Sequence, residues 1–308
     1  MVVRRLPVLL SGNPGAKAPH WFPLPLLLIA ILLCASLVPS PATAGQPSDL
    51  PPGAVSLGDG RYAIELKAPT PDWYTPALHR RVLKARERGR GIPIPKDADV
   101  DSALLFTGIR PGSWMISPAW CTLNFVFGSD AYVGTAGHCT SVGDQVTIVA
   151  APGVLMNIGR TVQSIDNGIG DDFALIEIHP EMVQFVNPSM AIVAGPTGSK
   201  APAFGEGILH VGHGVVVGTG GTARPGVVTW LGEQGTEASA YGWDGAASPG
   251  DSGSGVRAVT GEAVGNLTHL VVGTRYLPAV IAGTEIDRIL QIAGAPVTTA
   301  TLVPNPLP

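Results

Sequence analysis

Beyond residue 104 the apolar positions fall in short runs rich in Val, Ile, Thr and aromatic side chains. They are WCTLNFVF (120–127), AYVGTAGHC (131–139), QVTIVAAP (145–152), FALIEI (173–178), AIVAGP (191–196), ILHVGHGVVVG (208–218), PGVVTWL (225–231), AVGNLTHLVVG (263–273) and AVIAG (279–283). Each reads as a strand, because β-branched residues pack well on a pleated surface and the intervening Gly, Pro, Asn and Asp favour turns. Helical periodicity is nearly absent until GTEIDRILQIAG (283–294), where Ile286, Ile289, Leu290 and Ile292 mark one apolar side and Thr284 is placed to cap the start. Many short strands with frequent turns and one late helix predict an all-β barrel or sandwich.

The N-terminal part has a different pattern. Arg4 and Arg5 precede an apolar stretch from Pro23 to Val38, then Pro39 and Pro41, then the small-x-small triplet Ala42-Thr43-Ala44. This is the layout of a secretory signal over 1–44, cleaved after Ala44. A retained single-pass anchor is the alternative, since about 20 apolar residues span a bilayer. Residues 45–104 contain PSDLPPG, APTPDW and GIPIPKDADVD, with too few regularly spaced apolar positions for a core of their own. They read as a propeptide or extended N-terminal arm that packs on the domain at 105–296 and is trimmed near Arg88 to Arg90. The closing 297–308 reads as a flexible tail, and no later stretch is long and apolar enough to cross a membrane after signal removal.

Charge narrows the partners. RRVLKARERGR (80–90) has six basic residues against one acid and suits a short helix, solvated or serving as a processing site, whereas residues from Leu105 onward have seven Lys or Arg against fifteen acids. A net −8 over that segment, 7 minus 15, is the reverse of a nucleic-acid binder's balance, so no nucleic acid is expected as a partner. Cys34 lies within the apolar leader; the remaining Cys121 and Cys139 are an even count in an exported chain and are expected to form a disulfide.

His138, in TAGHC, has three readings: a satisfied structural residue, a metal ligand or a proton carrier. A metal would need convergent ligands, but Cys139 is committed to the disulfide, and His210 and His213 in H-x-x-H fall on opposite faces of a strand. No metal is therefore expected, and a serine, histidine and carboxylate acting together would need no organic cofactor either. PGDSGSG (249–255) changes the weighting. Ser252 sits in a glycine-rich turn able to present consecutive N–H groups to an oxyanion, and serine needs a base, which in turn needs an orienting carboxylate. GDDFALIEI (170–178) supplies it: Asp172 is joined directly to a strand, while Asp171, Asp144 and Asp166 have turn contexts.

At TAGHC (135–139), DFALI (172–176) and GDSG (250–253) the chain resembles the chymotrypsin-like, or trypsin-like, serine endopeptidases, especially their small secreted bacterial branch. The order His, Asp, Ser agrees with that family and differs from subtilisins and α/β-hydrolases. The resemblance, over about 106–295, implies two packed six-stranded Greek-key β-barrels with the site in the cleft between them. It assigns His138 as base, Asp172 as its orienter, Ser252 as nucleophile, and the N–H groups of Gly250 and Ser252 as the oxyanion hole. It also matches Cys121–Cys139 to the disulfide beside the family's histidine. Protein or peptide substrates would lie against Asn266, Leu267, Thr268 and His269, with Ala246 and Ala247 lining the pocket.

Two departures sharpen these expectations. Ser254 and Gly255 replace the family's usual Gly-Pro after the serine, and no I-V-G-G start is available to pair with Asp251, which is expected to be satisfied internally. With Ala246 where trypsin-type members carry an aspartate, an apolar or small pocket is expected unless Asp244 reaches it; His269 either recognises an acidic side chain or faces solvent. The rival to a secreted peptidase is an inactive homologue using the cleft as a peptide-binding or adhesion module.

Overall fold

The structure, a computed structural model, describes residues 50–58, 60–100, 105–116, 118–215, 220–232, 235–273 and 279–300. The apolar leader with its expected cleavage site lies outside them. The chain divides into units 1–46 and 47–308, and the described residues all belong to the second. Among them no helix is long and apolar enough to cross a membrane.

The arm carries β1 (Ala54–Gly58), β2 (Arg61–Glu65), β3 (Ala68–Pro69), α1 (Pro76–Arg86) and β4 (Ile92–Pro93). Next come β5 (Trp114–Ile116), β6 (Ala119–Thr122), β7 (Val126–Phe127), β8 (Tyr132–Thr135), β9 (Gln145–Ala150), β10 (Val154–Asp166) and β11 (Asp172–Ile178). The last third holds β12 (Gly207–Gly212), β13 (Thr222–Leu231), β14 (Ala240–Gly245), β15 (Gly255–Ala258), β16 (Ala263–Asn266), β17 (His269–Val272), β18 (Ala279–Thr284) and α2 (Ile286–Ala293).

These strands form two antiparallel nine-stranded sheets. In the first, the order is β3-β6-β5-β9-β10-β11-β8-β7, with β4 added to β10; in the second it is β1-β2-β17-β18-β14-β13-β12-β15-β16. Each sheet turns its inward positions onto a core of its own, as a sheet folded on itself must. Met115, Val133, Ile148, Ile158 and Ile176 share one cluster in the first sheet. Ile208, Val228, Trp243, Val256 and Ile281 share another in the second. This is the all-β, two-barrel architecture with a short C-terminal helix. Six strands per barrel is the expectation; here the residues after 104 supply seven strands to each sheet and the arm adds two more to each.

The arm is thus built into both halves. Its helix α1 starts where Thr75 Oγ1 accepts the Leu78 N–H at 3.2 Å, and Leu78 and Val82 are buried against Trp114, Ile116 and Leu155. Arg86 is not simply solvated, since its guanidinium donates to Gln145 and Asn157 at 3.1 and 3.0 Å.

Four details differ from the pattern-based reading. AIVAGP (191–196) is a turn, in which Ile192 and Ala194 adopt positive φ of 55° and 56°, incompatible with a strand. The longest strand, β10, escapes a search for continuous apolar runs because Asn157, Arg160, Gln163 and Ser164 interrupt it. Thr284 does not cap α2; Glu285 holds the cap position and Thr284 Oγ1 accepts the Asp172 N–H at 3.1 Å instead. At the start of the expected tail, Val297 bridges Phe127 and the Thr298 N–H donates to Val126 O at 2.8 Å.

Candidate active site

His138 sits on a single 3-10 turn, Gly137–Cys139, directly after β8. Its Nδ1 lies 2.6 Å from Asp172 Oδ2, and both side chains are fully buried. The other carboxylate oxygen, Oδ1, accepts the N–H groups of Gly137 at 2.5 Å and His138 at 3.2 Å. Burial alone would push the Asp172 carboxyl up, but the charge and hydrogen bond of His138 outweigh it and hold it below the usual carboxylate range. An ionised carboxylate only accepts, so Nδ1 carries the proton and Nε2 of the neutral ring is left as an acceptor. Ser252 Oγ stands 2.8 Å from that Nε2.

The same physics acts on the ring. Desolvation would lower the His138 pKa; the Asp172 charge and hydrogen bond override it, the Glu65 charge adds to them, and the pKa is raised. When the ring is charged its Nε2 donates to Ser252, whose hydroxyl then donates to Thr268 O at 2.9 Å. When the ring is neutral the hydroxyl proton can turn to Nε2.

The turn that holds His138 is fixed from several sides. The Cys121–Cys139 disulfide joins β6 to it, and Ser164 Oγ donates to Gly137 O and Thr140 O at 3.1 and 2.8 Å. Gly137 admits no side chain, because a Cβ there would lie 1.8 Å from Ile165 O. Asp172 is held in turn from the second sheet, where Asn266 Nδ2 donates to Asp172 O at 3.0 Å.

On the serine side, Gly250 adopts φ +102°, a conformation that glycine tolerates, and a Cβ there would meet His213 O at 2.6 Å. The resulting turn directs the N–H groups of Gly250 and Ser252 at one acceptor, Leu66 O of the arm, at 2.6 and 3.1 Å. Asp251 is satisfied internally: it pairs with Arg224 Nη2, and Oδ2 accepts the Ser248 N–H at 2.7 Å. Burial still pushes its carboxyl up, against the pull of Arg224.

Of the remaining expected residues, Ala247 packs beside the second sheet's core, with Leu66 in the same cluster, while Ala246 and Asp244 are exposed. Thr268 presents its carbonyl oxygen to Ser252 and also to the Leu66 N–H, at 3.0 Å. His269 does not face solvent. Its ring is 5.6 Å from that of His138, its Nδ1 is 2.8 Å from Thr268 Oγ1 and 3.8 Å from Asp172, and burial holds its pKa down to about 4 against the Asp172 charge. Asp171 pairs with Arg288 Nη2 at 2.7 Å, and Asp144 Oδ2 accepts the Ser141 N–H at 2.8 Å, as turn residues. Asp166 lies near the site without bonding to it, and its carboxyl is raised by burial and then by Asp172. The sulfurs of Cys121 and Cys139 are bonded to each other, so neither is free to hold a metal beside His138.

Sequence reasoning missed Arg224 and Leu66, and it did not see Thr284 and Asn266 as the clamp on Asp172. For Arg224 a signal existed: a lone cation inside a strand of an acidic segment needs a buried anion. Leu66 gave none, since its significance lies only in where the arm passes.

No protein-family model matches the chain, and no curated protein matches it. Among solved structures, a Cellulomonas bogoriensis chymotrypsin is similar at 20% identity over 62% of this chain and 100% of its own, with a TM-score of 0.46. Thermobifida fusca protease A is similar at 21% identity over 62% and 99%, with a TM-score of 0.47. A glutamic acid specific serine protease gives 16% identity, 62% and 100% coverage and a TM-score of 0.46.

Proposed function

We propose that the chain is a secreted serine endopeptidase of the chymotrypsin-like kind, hydrolysing peptide bonds through Ser252, His138 and Asp172. The observation that carries this reading is the His138 ring held between Asp172 at 2.6 Å and Ser252 at 2.8 Å. His138 takes the Ser252 proton as Oγ attacks a peptide carbonyl and returns it to the departing amine. Asp172 fixes the tautomer and stabilises the charged ring. The N–H groups of Gly250 and Ser252 receive the negative charge that develops on the carbonyl oxygen; losing one such donor typically costs about 3 kcal/mol of transition-state stabilisation.

Water supplies the second half of the reaction, so the residues themselves suffice for the chemistry. Export rests on the leader at 1–44, and an oxidising compartment suits the Cys121–Cys139 bond. Hydrolysis of a peptide library by the secreted protein tests the reading. Wild-type protein is expected to cut, and Ser252→Ala and His138→Ala to lose activity by on the order of 10⁴-fold or more. Binding of peptides without turnover by a folded wild-type chain would favour the adhesion-module reading instead.

A further inference from the structure

Leu66 occupies the cleft as a substrate residue would. Strand β2 pairs antiparallel with β17, Glu65 opposite His269, and the Leu66 N–H continues that ladder to Thr268 O at 3.0 Å. The Leu66 carbonyl oxygen then receives both the Gly250 and Ser252 N–H groups, at 2.6 and 3.1 Å. Its side chain, 4% exposed, is in the apolar cluster with Val228, Trp243, Val256 and Ala247. Past the peptide bond, Lys67 Nζ donates to His138 O at 3.2 Å and Ala68 pairs with Trp120 of β6. The arm therefore enters along one sheet, crosses beside Ser252 with its carbonyl polarised, and leaves along the other.

Resting on the triad proposed above, we propose that the Leu66–Lys67 peptide bond is the enzyme's first substrate, cut within the same chain, and that the same pocket makes leucine its preferred residue before the cut. Ser252 Oγ forms a bond to the Leu66 carbonyl carbon, the bond from that carbon to the Lys67 nitrogen breaks, and the Ser252 proton passes through His138 to that nitrogen. A solvent water then adds its hydroxyl to the Leu66 carbonyl carbon as the bond from that carbon to Ser252 Oγ breaks, and the water's other proton passes through His138 to Ser252 Oγ. The products are a Leu66 carboxyl and a Lys67 amine. Tethering the bond at the nucleophile gives a high effective concentration. The cut falls ahead of the basic stretch at Arg88 to Arg90 and replaces that expectation.

Before the cut the arm blocks the cleft. Afterwards Lys67 onward stays tied down by β3, α1 and β4, while β1 and β2 lose their covalent link and can leave the edge of β17 free to pair with an incoming peptide. Specificity for leucine follows from the apolar side chains packed around it, among which burying a charge is costly.

Intact mass and N-terminal sequencing of full-length wild-type and Ser252→Ala protein test this, alongside fluorophosphonate labelling and a peptide-library cleavage profile. The expected results are a new N-terminus at Lys67 in wild type, formed at a rate independent of protein concentration, and a cleavage profile led by Leu. Ser252→Ala is expected to stay uncut even with a trace of wild type present. Leu66→Asp is expected to slow the cut roughly 100-fold or more, and Leu66→Met to restore it, which separates pocket fit from misfolding. Labelling and hydrolysis at Ser252 with the 66–67 bond intact, or with a mature N-terminus elsewhere, overturn this inference and leave the triad standing. Absence of labelling, hydrolysis and cutting in a folded wild-type chain overturns the triad and this inference together.

Discussion

Asn266, on β16 of the second sheet, donates its side-chain amide to the carbonyl oxygen of Asp172 on β11 of the first, at 3.0 Å, and its Oδ1 accepts the Thr284 N–H at the same distance. One buried amide thus couples the sheet that carries Ser252 to the carboxylate that holds His138. The alignment of the three side chains depends on how the two sheets meet, and Asn266 is one of several contacts at that junction, beside Thr284 Oγ1 on the Asp172 N–H and Thr122 Oγ1 on Gly250 O.

Replacing Asn266 by Ala leaves the Asp172 carbonyl short of a donor and the Thr284 N–H without its acceptor. A buried unsatisfied group costs about 1–3 kcal/mol. Urea denaturation is expected to show a loss in that range. In addition, kcat/KM is expected to fall by about ten-fold or more with the acid limb of its pH profile moved to lower pH, because a displaced Asp172 supports the His138 proton less. Unchanged pH dependence in a destabilised variant would assign Asn266 a structural role alone.

The proposed peptide hydrolysis requires His138 to be neutral, and its pKa is raised above 6.5 by Asp172 once burial has been overcome. Activity should therefore climb with pH through a limb lying above 6.5. Asp172→Asn removes both the charge and the tautomer control; the limb should move down and kcat fall by on the order of 10⁴-fold. Stability has a matching window. The raised His138 pKa contributes fully below 6.5 and is lost as pH rises through the folded value; the depressed Asp172 pKa contributes above 3.8 and is lost as pH falls through its folded value. The pair contributes most between those two pH values, which a series of melting temperatures in wild type and Asp172→Asn would reveal.

Arg224 is the cation that balances buried Asp251, next to Ser252. Arg224→Met keeps much of the apolar stem and removes the charge. The uncompensated carboxylate should cost about 3–5 kcal/mol, and Asp251→Asn in the same chain should recover part of it. A double-mutant cycle by denaturant unfolding measures the coupling; additive losses would show that the pair does not act as one unit.

The Cys121–Cys139 bond closes a loop of 18 residues. Replacing both cysteines by Ser should lower stability by about 3 kcal/mol in the chain-entropy picture. Activity should fall more than stability alone explains under conditions where the variant stays folded, because the bond fixes the turn bearing His138. Equal activity per folded molecule would confine the disulfide to stability.

Legibility in the sequence followed the range of the forces involved. Turn chemistry and the short apolar runs marked most strands, and TAGHC, DDFALI and GDSG named the three side chains that the fold brings together, because each motif is dictated by its own local backbone. What joins distant segments was not legible. Strand β10 hid behind Arg160, Gln163 and Ser164, polar residues that break its apolar run, although Ser164 turns its hydroxyl onto the turn bearing His138. Thr284 looked like a helix cap until the second sheet brought it to Asp172. His269 could be placed on a strand but not buried, since its environment is made largely by Asp172 and His138 from the other sheet. Leu66 was invisible, because an arm poor in apolar periodicity gains its order only from the sheets to which it adds strands.

The most direct measurement is peptide mapping of the mature protein after reaction with a fluorophosphonate. A single phosphonyl adduct on Ser252 is predicted, absent in Ser252→Ala and formed at least about 100-fold more slowly in His138→Ala. An unmodified Ser252 in a folded chain whose cleft has been vacated, or labelling that proceeds equally well without His138, would contradict the transfer of its proton to that ring.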